Sequence, residues 1–225
     1  MLGLYSFQKF SSLDFPGRLC SIVWFSGCNM RCTYCYNKDV VFGKKQIEEE
    51  EFLEFLKNRV GLLDGVSFTG GCPTMYPNLI NFAKKIKEMG FDIKLDTNGI
   101  NFEIIKKLVE KNIVDYIALD FKAPKEKFYE ITKNKNYDKF EKTLDFLINS
   151  DVEFEIRTTV HTDLLDENDI NKIIDILAQK GYKGTYYLQN YFETDKETIG
   201  NIGSQKRKLD ISKLNKKISV EFRNF

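Results

Sequence analysis

The chain has 225 residues, a formal net charge of +1, 42% hydrophobic residues and 30% charged residues. This composition is typical of a globular protein and excludes a disordered or fibrous chain, and the absence of a basic surplus argues against nucleic-acid binding. The apolar runs fall short of the ~20 residues that span a membrane, and the first residues do not resemble a secretion signal. We therefore expect a cytoplasmic protein whose partners include neither nucleic acid nor a membrane.

Apolar, β-rich segments alternate with segments of helical periodicity along the chain. The predicted strands cover residues 19–25, 66–69, 92–97, 116–120, 153–159 and 185–189, with a weak closing strand at 218–222. The helical spacing of apolar residues falls within 52–56, 79–86, 104–109, 140–147 and 170–177. This α/β alternation predicts parallel strands with right-handed crossovers in one domain, residues 1–225, ending in a more polar tail over 193–225.

The strand count is compatible with an open doubly wound sheet and with a curved partial barrel. A full eight-unit barrel usually needs ~250 residues, more than this chain has. Both remaining architectures place the active site at the carboxyl ends of the strands. Glycines, cysteines and polar residues do follow the six predicted strands, at 26–28, 70–73, 96–99, 120–122, 157–161 and 189–190. We expect these segments to converge on one rim.

Three of the five cysteines lie within eight residues, in the pattern Cys28-x3-Cys32-x2-Cys35. An odd number of cysteines with this clustering argues against a disulfide framework and favours thiols that bind metal. Three thiolates are one fewer than the ligands of a closed zinc site or of an Fe–S cube.

The missing fourth ligand leaves two readings open. A zinc site would recruit Cys72, Cys20 or His161 as its fourth ligand. A [4Fe–4S] cluster held by three cysteines would instead leave one iron open to a substrate.

The cysteine spacing, with the aromatic Tyr34 before the last cysteine, resembles the signature of the radical S-adenosylmethionine enzymes. Further segments resemble the glycyl-radical-enzyme activating proteins of that superfamily, and among them most closely the activators of anaerobic ribonucleoside-triphosphate reductase. These segments are residues 13–17 (LDFPG), 25–32 (FSGCNMRC), 95–99 (LDTNG), 116–124 (YIALDFKAP) and 157–160 (RTTV). The resemblance covers nearly the whole chain and implies a partial (β/α)6 barrel of the radical SAM type, with parallel strands and outer helices.

The resemblance also implies the cofactors and the reaction. Cys28, Cys32 and Cys35, in a cluster loop over residues 26–37, would hold a [4Fe–4S] cluster whose open iron chelates S-adenosylmethionine. One electron from a flavodoxin- or ferredoxin-type donor would cleave the C5′–S bond and give a 5′-deoxyadenosyl radical. The implied partner is the large subunit of anaerobic ribonucleotide reductase, on which that radical abstracts hydrogen from a glycine Cα in a loop.

The residues that the resemblance assigns to S-adenosylmethionine follow the cluster loop and the strands. They are Tyr34, Thr69, Gly70, Gly71, Asp96, Thr97, Asn98, Lys122 and Arg157. Cys72 departs from the family, which mostly has glutamate after the two glycines. We leave open whether Cys72 is inert, redox-active or a fourth metal ligand.

A monovalent cation is a further implied ligand, at Asp96, Thr97 and Asp120. The alternatives are an Asx-type turn ending at Gly99 and an ion pair between Asp120 and Lys122, two residues apart on one strand face.

Three more side chains have an open role. Asp14 lies in a segment that approaches the substrate peptide in activating enzymes, or is a turn residue before Pro16. His161, the only histidine, is more simply a structural residue than a base, and Arg157 is also a partner for Glu155 or Asp120.

Two alternative activities and one non-catalytic role remain beside the leading hypothesis. The first is activation of pyruvate formate-lyase, and the second is radical chemistry on a small metabolite. No cysteine cluster follows Cys35, so the inserted ferredoxin-like domain of some activating enzymes is not expected. The non-catalytic alternative is a zinc- or Fe–S-binding protein.

Overall fold

The computed structural model describes residues 2–225. Its strands are β1 (Leu4–Ser11), β2 (Cys20–Phe25), β3 (Gly65–Gly70), β4 (Asp92–Thr97), β5 (Tyr116–Asp120), β6 (Glu153–Val160), β7 (Tyr186–Asn190) and β8 (Val220–Arg223). Its α-helices are α1 (Lys38–Val41), α2 (Glu49–Lys57), α3 (Leu79–Glu88), α4 (Phe102–Glu110), α5 (Lys125–Thr132), α6 (Tyr137–Ile148) and α7 (Glu167–Gln179).

The eight strands form one sheet in the order β1 to β8, the order in which they follow in the chain. β1 pairs with β2 in the antiparallel sense, and every later pair is parallel. A doubly wound sheet reverses its strand order at a switch point, whereas this sheet never does. The structure therefore confirms the α/β class with parallel strands, and the unreversed order is that of a partial barrel.

The sheet has one apolar face and one charged face, because side chains alternate along each strand. Val23 of β2, Ile117 of β5 and Ile156 of β6 pack in the same core as Phe82 of α3 and Ile173 of α7. The opposite, inner face bears Lys94, Asp96, Asp120, Glu155, Arg157 and Arg223. The helices thus stabilise the sheet from outside and leave a polar interior.

The end of the sheet at which the parallel strands begin is closed by apolar side chains. Phe15, in the connection between β1 and β2, is fully buried with Ile22 and Tyr116. A Cβ on Gly65 would lie 2.9 Å from the Phe15 ring, so the glycine at the start of β3 makes room for it. The polar interior is consequently separated from solvent at this end.

All six predicted parallel strands are present, with bounds that differ by one residue at most, and β8 lies near the predicted closing strand. The sequence analysis missed β1, α1 and α5. In β1 the residues between its buried ends are exposed or half-buried, so no clear alternation is visible. In α5 only Phe128, Ile131 and Thr132 are buried, too few for a helical period to stand out.

The α-helices of the described chain are short. The longest, α7, has 13 residues, and no helix within residues 2–225 is long and apolar enough to cross a membrane.

Candidate functional site

A cavity of about 280 Å³ lies where the parallel strands end. It brings together the three clustered cysteines and all nine residues that the resemblance assigns to S-adenosylmethionine. Its lining includes Cys28, Cys32, Tyr34, Cys35, Thr69, Gly70, Gly71, Asp96, Thr97, Asn98, Asp120, Lys122 and Arg157. Gln189 and Asn190, at the end of β7, also line the cavity, so six segments far apart in the sequence converge on one space, as the strand-end rule predicts.

The cluster loop is fastened to the end of α5 and to the turn behind it. The backbone N–H of Arg31 donates to the Thr132 carbonyl at 2.8 Å, and that of Thr33 donates to the Ile131 carbonyl at 2.9 Å. The Asn134 side-chain amide donates to the Asn29 carbonyl at 2.8 Å. A helix that the sequence analysis missed thus sets the position of the first part of the loop.

A segment of the C-terminal tail, residues 198–202, holds the last part of the cluster loop, and we call it the strap. Ile199 N–H donates to the Cys35 carbonyl and Gly200 N–H to the Thr33 carbonyl, both at 2.9 Å. Within the strap, the Ile202 N–H donates to the Thr198 hydroxyl at 2.8 Å and closes a tight turn. The polar tail is therefore part of the site's framework.

The three cysteine thiols suit an iron–sulfur cluster in number, placement and chemistry. All are free thiols that line one cavity. Burial raises the pKa of Cys28 to about 12 and that of Cys32 to about 11, so binding a metal there displaces protons. Within residues 2–225, no three His, Cys, Asp or Glu side chains are arranged to hold one metal ion. A [4Fe–4S] cluster does not require the three thiolates to meet at one ion, since each thiolate binds its own iron.

The glycine pair after β3 packs against the backbone that leads into the cluster loop. A Cβ on Gly71 would lie 1.8 Å from the Gly27 carbonyl oxygen, and Gly70 has a φ of +108°. Gly71 N–H donates to the Phe25 carbonyl at 2.8 Å, and Cys72 N–H to the Gly27 carbonyl at 2.9 Å. No residue with a side chain fits this approach, which brings the glycine backbone to the wall of the cavity.

Cys72 lies beside the cavity without lining it, and 1% of its surface is exposed. Its sulfur is 3.1 Å from the Thr74 hydroxyl and 3.9 Å from the Thr97 hydroxyl. It is also close enough to Cys28 for Coulombic repulsion to raise the pKa of Cys28 further. These contacts with two hydroxyls favour an inert, buried thiol.

Arg157 joins two half-buried carboxylates on the floor of the cavity. Its guanidinium lies 2.6 Å from Asp120 and 3.1 Å from Asp96. Lys122 pairs with Asp120 at 2.9 Å, and Lys94 makes a close contact with Asp96. Burial opposes ionisation of both carboxyls, but Arg157 and the lysines overcome it and lower both pKa values below the usual range. Both aspartates are therefore ionised.

The sequence analysis gave two alternatives to a cation at Asp96, Thr97 and Asp120: a turn ending at Gly99 and an ion pair between Asp120 and Lys122. The structure contains both. Asp120 and Lys122 form the ion pair, and Gly99 ends the turn with a φ of +77°. Protein cations already flank both carboxylates, and the monovalent cation stays a prediction.

Tyr34 offers the cavity an unused polar group. Its side chain is 6% exposed, and its hydroxyl has no hydrogen-bond partner among the described residues. The Lys122 ammonium lies 5.9 Å from the centre of its ring. A buried hydroxyl without a partner is costly, and a bound ligand with a polar group would satisfy it.

The sequence analysis overlooked Lys94 as a site residue and did not foresee that Glu155 is fully buried. Lys94 is 4% exposed and Glu155 is 3% exposed. The sequence does contain a signal for their inward orientation, because Lys94 precedes Asp96 by two residues and Glu155 precedes Arg157 by two. On a strand this spacing places each pair on one face.

His161 and Asp14 lie away from the cavity lining. His161 is fully buried, its Nε2 is 2.9 Å from the Gly203 carbonyl, and its Nδ1 accepts the Asp163 N–H at 3.3 Å. It therefore makes the hydrogen bonds of a structural histidine. Asp14 accepts a hydrogen bond from the Ser11 hydroxyl in the β1–β2 connection, at the opposite end of the strands. Its contact with a substrate peptide stays a prediction.

Comparison with known proteins gives a consistent pattern. The family model described as Radical SAM superfamily matches residues 22–179. A protein of Methanocaldococcus jannaschii named "Putative glycyl-radical enzyme activating enzyme" is 33% identical over 173 residues, which are 72% of this chain and 70% of that protein. The pyruvate formate-lyase-activating enzyme of Clostridium pasteurianum is 29% identical over 182 residues, 77% of this chain and 75% of that enzyme.

A solved structure of SuiB from Streptococcus suis, bound to S-adenosylmethionine, superimposes with a TM-score of 0.66 at 15% identity. The match covers 90% of this chain and 52% of SuiB, so this chain spans about half the length of that protein. At such low identity the likeness concerns the fold alone.

Proposed function

The chain belongs to the radical SAM superfamily, and from that premise we propose that it activates a glycyl radical enzyme, with anaerobic ribonucleoside-triphosphate reductase as its partner. The superfamily uses a [4Fe–4S] cluster and S-adenosylmethionine. The observation that best supports the proposal is the shared cavity, where three cysteine thiols face Tyr34, the glycine pair and the Arg157 ion pairs.

We assign the cluster to the cysteines and S-adenosylmethionine to the other residues of the cavity. Cys28, Cys32 and Cys35 would hold the cluster, which would supply the electron that cleaves S-adenosylmethionine to methionine and the 5′-deoxyadenosyl radical. The backbone of Gly70 and Gly71 receives the amino group of the methionine moiety. Lys122 and Arg157 would attract its carboxylate as cations, and their partial burial would strengthen that attraction.

The remaining assigned residues position the nucleoside part. Asp96 and Asn98 would offer oxygen acceptors to the ribose hydroxyls, and Tyr34 would offer its ring and its unpartnered hydroxyl to the adenosyl group. Because Asp96 stays ionised, it accepts and does not donate hydrogen bonds at neutral pH.

The partner is argued from chemistry and from similarity. A glycine has no side chain, so a loop that bears it can bring its Cα deep into a cavity of this size. The segments at 95–99, 116–124 and 157–160 resemble activators of anaerobic ribonucleotide reductase. A flavodoxin- or ferredoxin-type protein supplies the electron.

Pyruvate formate-lyase is the second candidate partner. The Clostridium pasteurianum relative is named for that enzyme and is similar over three quarters of this chain. The two candidates share the cofactors and the cluster loop, so only the protein that acquires the radical distinguishes them.

Anaerobic reconstitution with iron and sulfide tests the reaction. After reduction with dithionite, the wild-type protein is expected to convert S-adenosylmethionine to 5′-deoxyadenosine, and Cys32→Ala is expected to lose this activity. If the protein takes up zinc in place of iron and yields no 5′-deoxyadenosine, the proposal is wrong.

Electron paramagnetic resonance then identifies the partner. The reduced protein is mixed in parallel with anaerobic ribonucleotide reductase and with pyruvate formate-lyase from the same organism. We expect a glycyl-radical signal on the reductase only. A signal on the lyase alone would assign this chain to the second candidate.

A further inference from the structure

Glu155 is a buried carboxylate with two competing arginines. It points into the sheet interior from β6, and the guanidinium of Arg223, on β8, binds it through two contacts of 3.1 and 2.9 Å. The Tyr116 hydroxyl donates to it at 3.1 Å. Arg157 lies farther off, with its Nη1 3.9 Å from the Glu155 carboxylate. The charge of Glu155 is therefore paired mainly by Arg223, on the last strand of the sheet.

Arg157 lies between the Glu155–Arg223 pair and the cavity. One guanidinium faces Asp120 and Asp96 at hydrogen-bond distance and Glu155 at a longer distance. Asp96 and Asp120 line the cavity, whereas Glu155 lies deeper in the interior. Arg157 therefore lies between the carboxylates of the cavity and the deeper carboxylate of Glu155.

Arg223 is held in place to provide that cation. Its guanidinium stacks on the Tyr187 ring at 3.6 Å from the ring centre, and β8 pairs with β7 beside it. The two parallel contacts with Glu155 are the geometry that favours arginine over lysine.

We infer that Arg223 is a positioning residue for S-adenosylmethionine binding: by occupying Glu155, it leaves Arg157 directed at the two aspartates of the cavity. This inference rests on the proposed assignment of Arg157, Asp96 and Asp120 to that ligand. Without Arg223, the unpaired Glu155 draws Arg157 toward itself, because a buried carboxylate needs a charged partner.

The test is a titration of the holoenzyme, with its cluster oxidised so that no turnover occurs, with S-adenosylmethionine under anaerobic calorimetry. Arg223→Gln is expected to raise Kd about tenfold, the effect of losing one charge-assisted hydrogen bond. Arg223→Lys, which keeps the charge without the paired contacts, is expected to fall between the wild type and Arg223→Gln.

The double variant Glu155→Gln/Arg223→Gln separates positioning from folding. It removes the competing carboxylate, so Kd is expected to return to within about threefold of the wild-type value. A merely structural role would make the double variant as weak as Arg223→Gln or weaker. Iron content and circular dichroism, measured on each variant, verify that the folded holoenzyme is being compared.

Arg18→Gln is the matched control. Like Arg223, Arg18 binds a carboxylate, that of Asp92 at 2.7 Å, and lies over an aromatic ring, that of Phe15 at 4.6 Å, but it does not line the cavity. The Kd of this variant for S-adenosylmethionine is expected to equal that of the wild type.

Two results would overturn the inference: an unchanged Kd in Arg223→Gln, or no recovery in the double variant. Both leave the proposed function intact if the wild-type protein still cleaves S-adenosylmethionine. Failure of the wild type to bind or cleave it would instead contradict the proposed function itself.

Discussion

Cys72 is a residue whose surroundings decide between the roles that its sequence position leaves open. Its sulfur contacts the hydroxyls of Thr74 and Thr97 and does not line the cavity. We predict that Cys72→Ser, reconstituted anaerobically, binds as much iron per chain as the wild type and still forms 5′-deoxyadenosine. A serine hydroxyl can replace the thiol in both contacts but is a poor iron ligand.

Cys32→Ala provides the comparison for that experiment, since it removes a thiol that does line the cavity. Iron analysis and the optical spectrum of the cluster are the measurements. A Cys72→Ser protein with as little iron as Cys32→Ala would show that Cys72 is a fourth ligand.

At the residue scale, the lining of the cavity could be predicted where the functional residues form a recognisable local sequence pattern. The cysteine spacing and the polar residues after each strand led to the residues that the cavity brings together. Lys94 and Glu155 were missed because a charged residue inside a short strand is ordinarily taken to face solvent. The sheet shows that their side of β4 and β6 faces inward, where Asp96 and Arg223 compensate their charges.

The strap is an element whose effect on the cluster loop is directly testable. A Cβ on Gly200 would lie 2.8 Å from the Thr33 Cβ and 2.9 Å from the Thr33 carbonyl oxygen. We predict that Gly200→Ala pushes the strap away from Cys35 and speeds the release of iron to a chelator several-fold. The measurement is the decay of cluster absorbance in excess chelator under anaerobic conditions.

Gly203→Ala is the control for this prediction, because a Cβ at Gly203 would meet no atom within 4 Å. Its rate of iron release is expected to match the wild type. Equal rates in the Gly200 and Gly203 variants would mean that the strap does not hold the cluster loop.

The start of α7 anchors the tail through Glu167, and this contact gives a defined pH dependence. Hydrogen bonds from Arg207 and from the Asp210 N–H lower the pKa of Glu167 from 4.5 to about 2. Since the pKa in the folded state is lower than in the unfolded state, the carboxylate stabilises the fold fully above pH ~4.5. That stabilisation is lost as the pH falls toward 2.

We therefore predict that Glu167→Gln lowers the free energy of unfolding by about 1–2 kcal/mol at pH 7 and by much less at pH 2.5. The effect at pH 7 is smaller than the pKa shift alone implies because Arg207 is partly exposed and solvent screens the pair. Denaturant titrations at both pH values measure it. A difference that is equal at the two pH values would contradict the assigned hydrogen bonds.

Among the elements, the parallel strands were predictable because each is a short, buried, β-rich run bounded by a turn. β1 is antiparallel and half-exposed, and α5 buries only three of its residues, so neither has the periodicity on which prediction depends. Both elements matter to the site, since α5 fastens the cluster loop. Long-range hydrogen bonds of this kind leave no trace in local sequence patterns.

The whole molecule has one closed end, and Phe15 is the side chain on which this depends. We predict that Phe15→Ala lowers the free energy of unfolding by about 3–5 kcal/mol, because it leaves a cavity among Ile22, Tyr116 and the backbone of β3. Trp24, the only tryptophan, packs against the same cluster. Its fluorescence is expected to shift to the red and to become more accessible to a soluble quencher.

Phe10→Ala tests the specificity of that effect. Phe10 precedes Phe15 in the same part of the chain but is 53% exposed, whereas Phe15 is fully buried. Its substitution is expected to change the stability by less than about 0.5 kcal/mol. Comparable losses in the two variants would mean that Phe15 does not close the barrel.

The strap also has a consequence for the order of events during synthesis of the protein. Gly200 follows Cys35 by about 165 positions, yet its N–H binds the loop that bears Cys35. At roughly 5–20 residues per second, a ribosome takes about 10–30 seconds to make the chain between them. Throughout that interval the three cysteines are already synthesised while the loop lacks its final restraint. Delivery of iron to a nascent chain would thus meet an unfinished site, and cluster insertion is best timed after the chain is released.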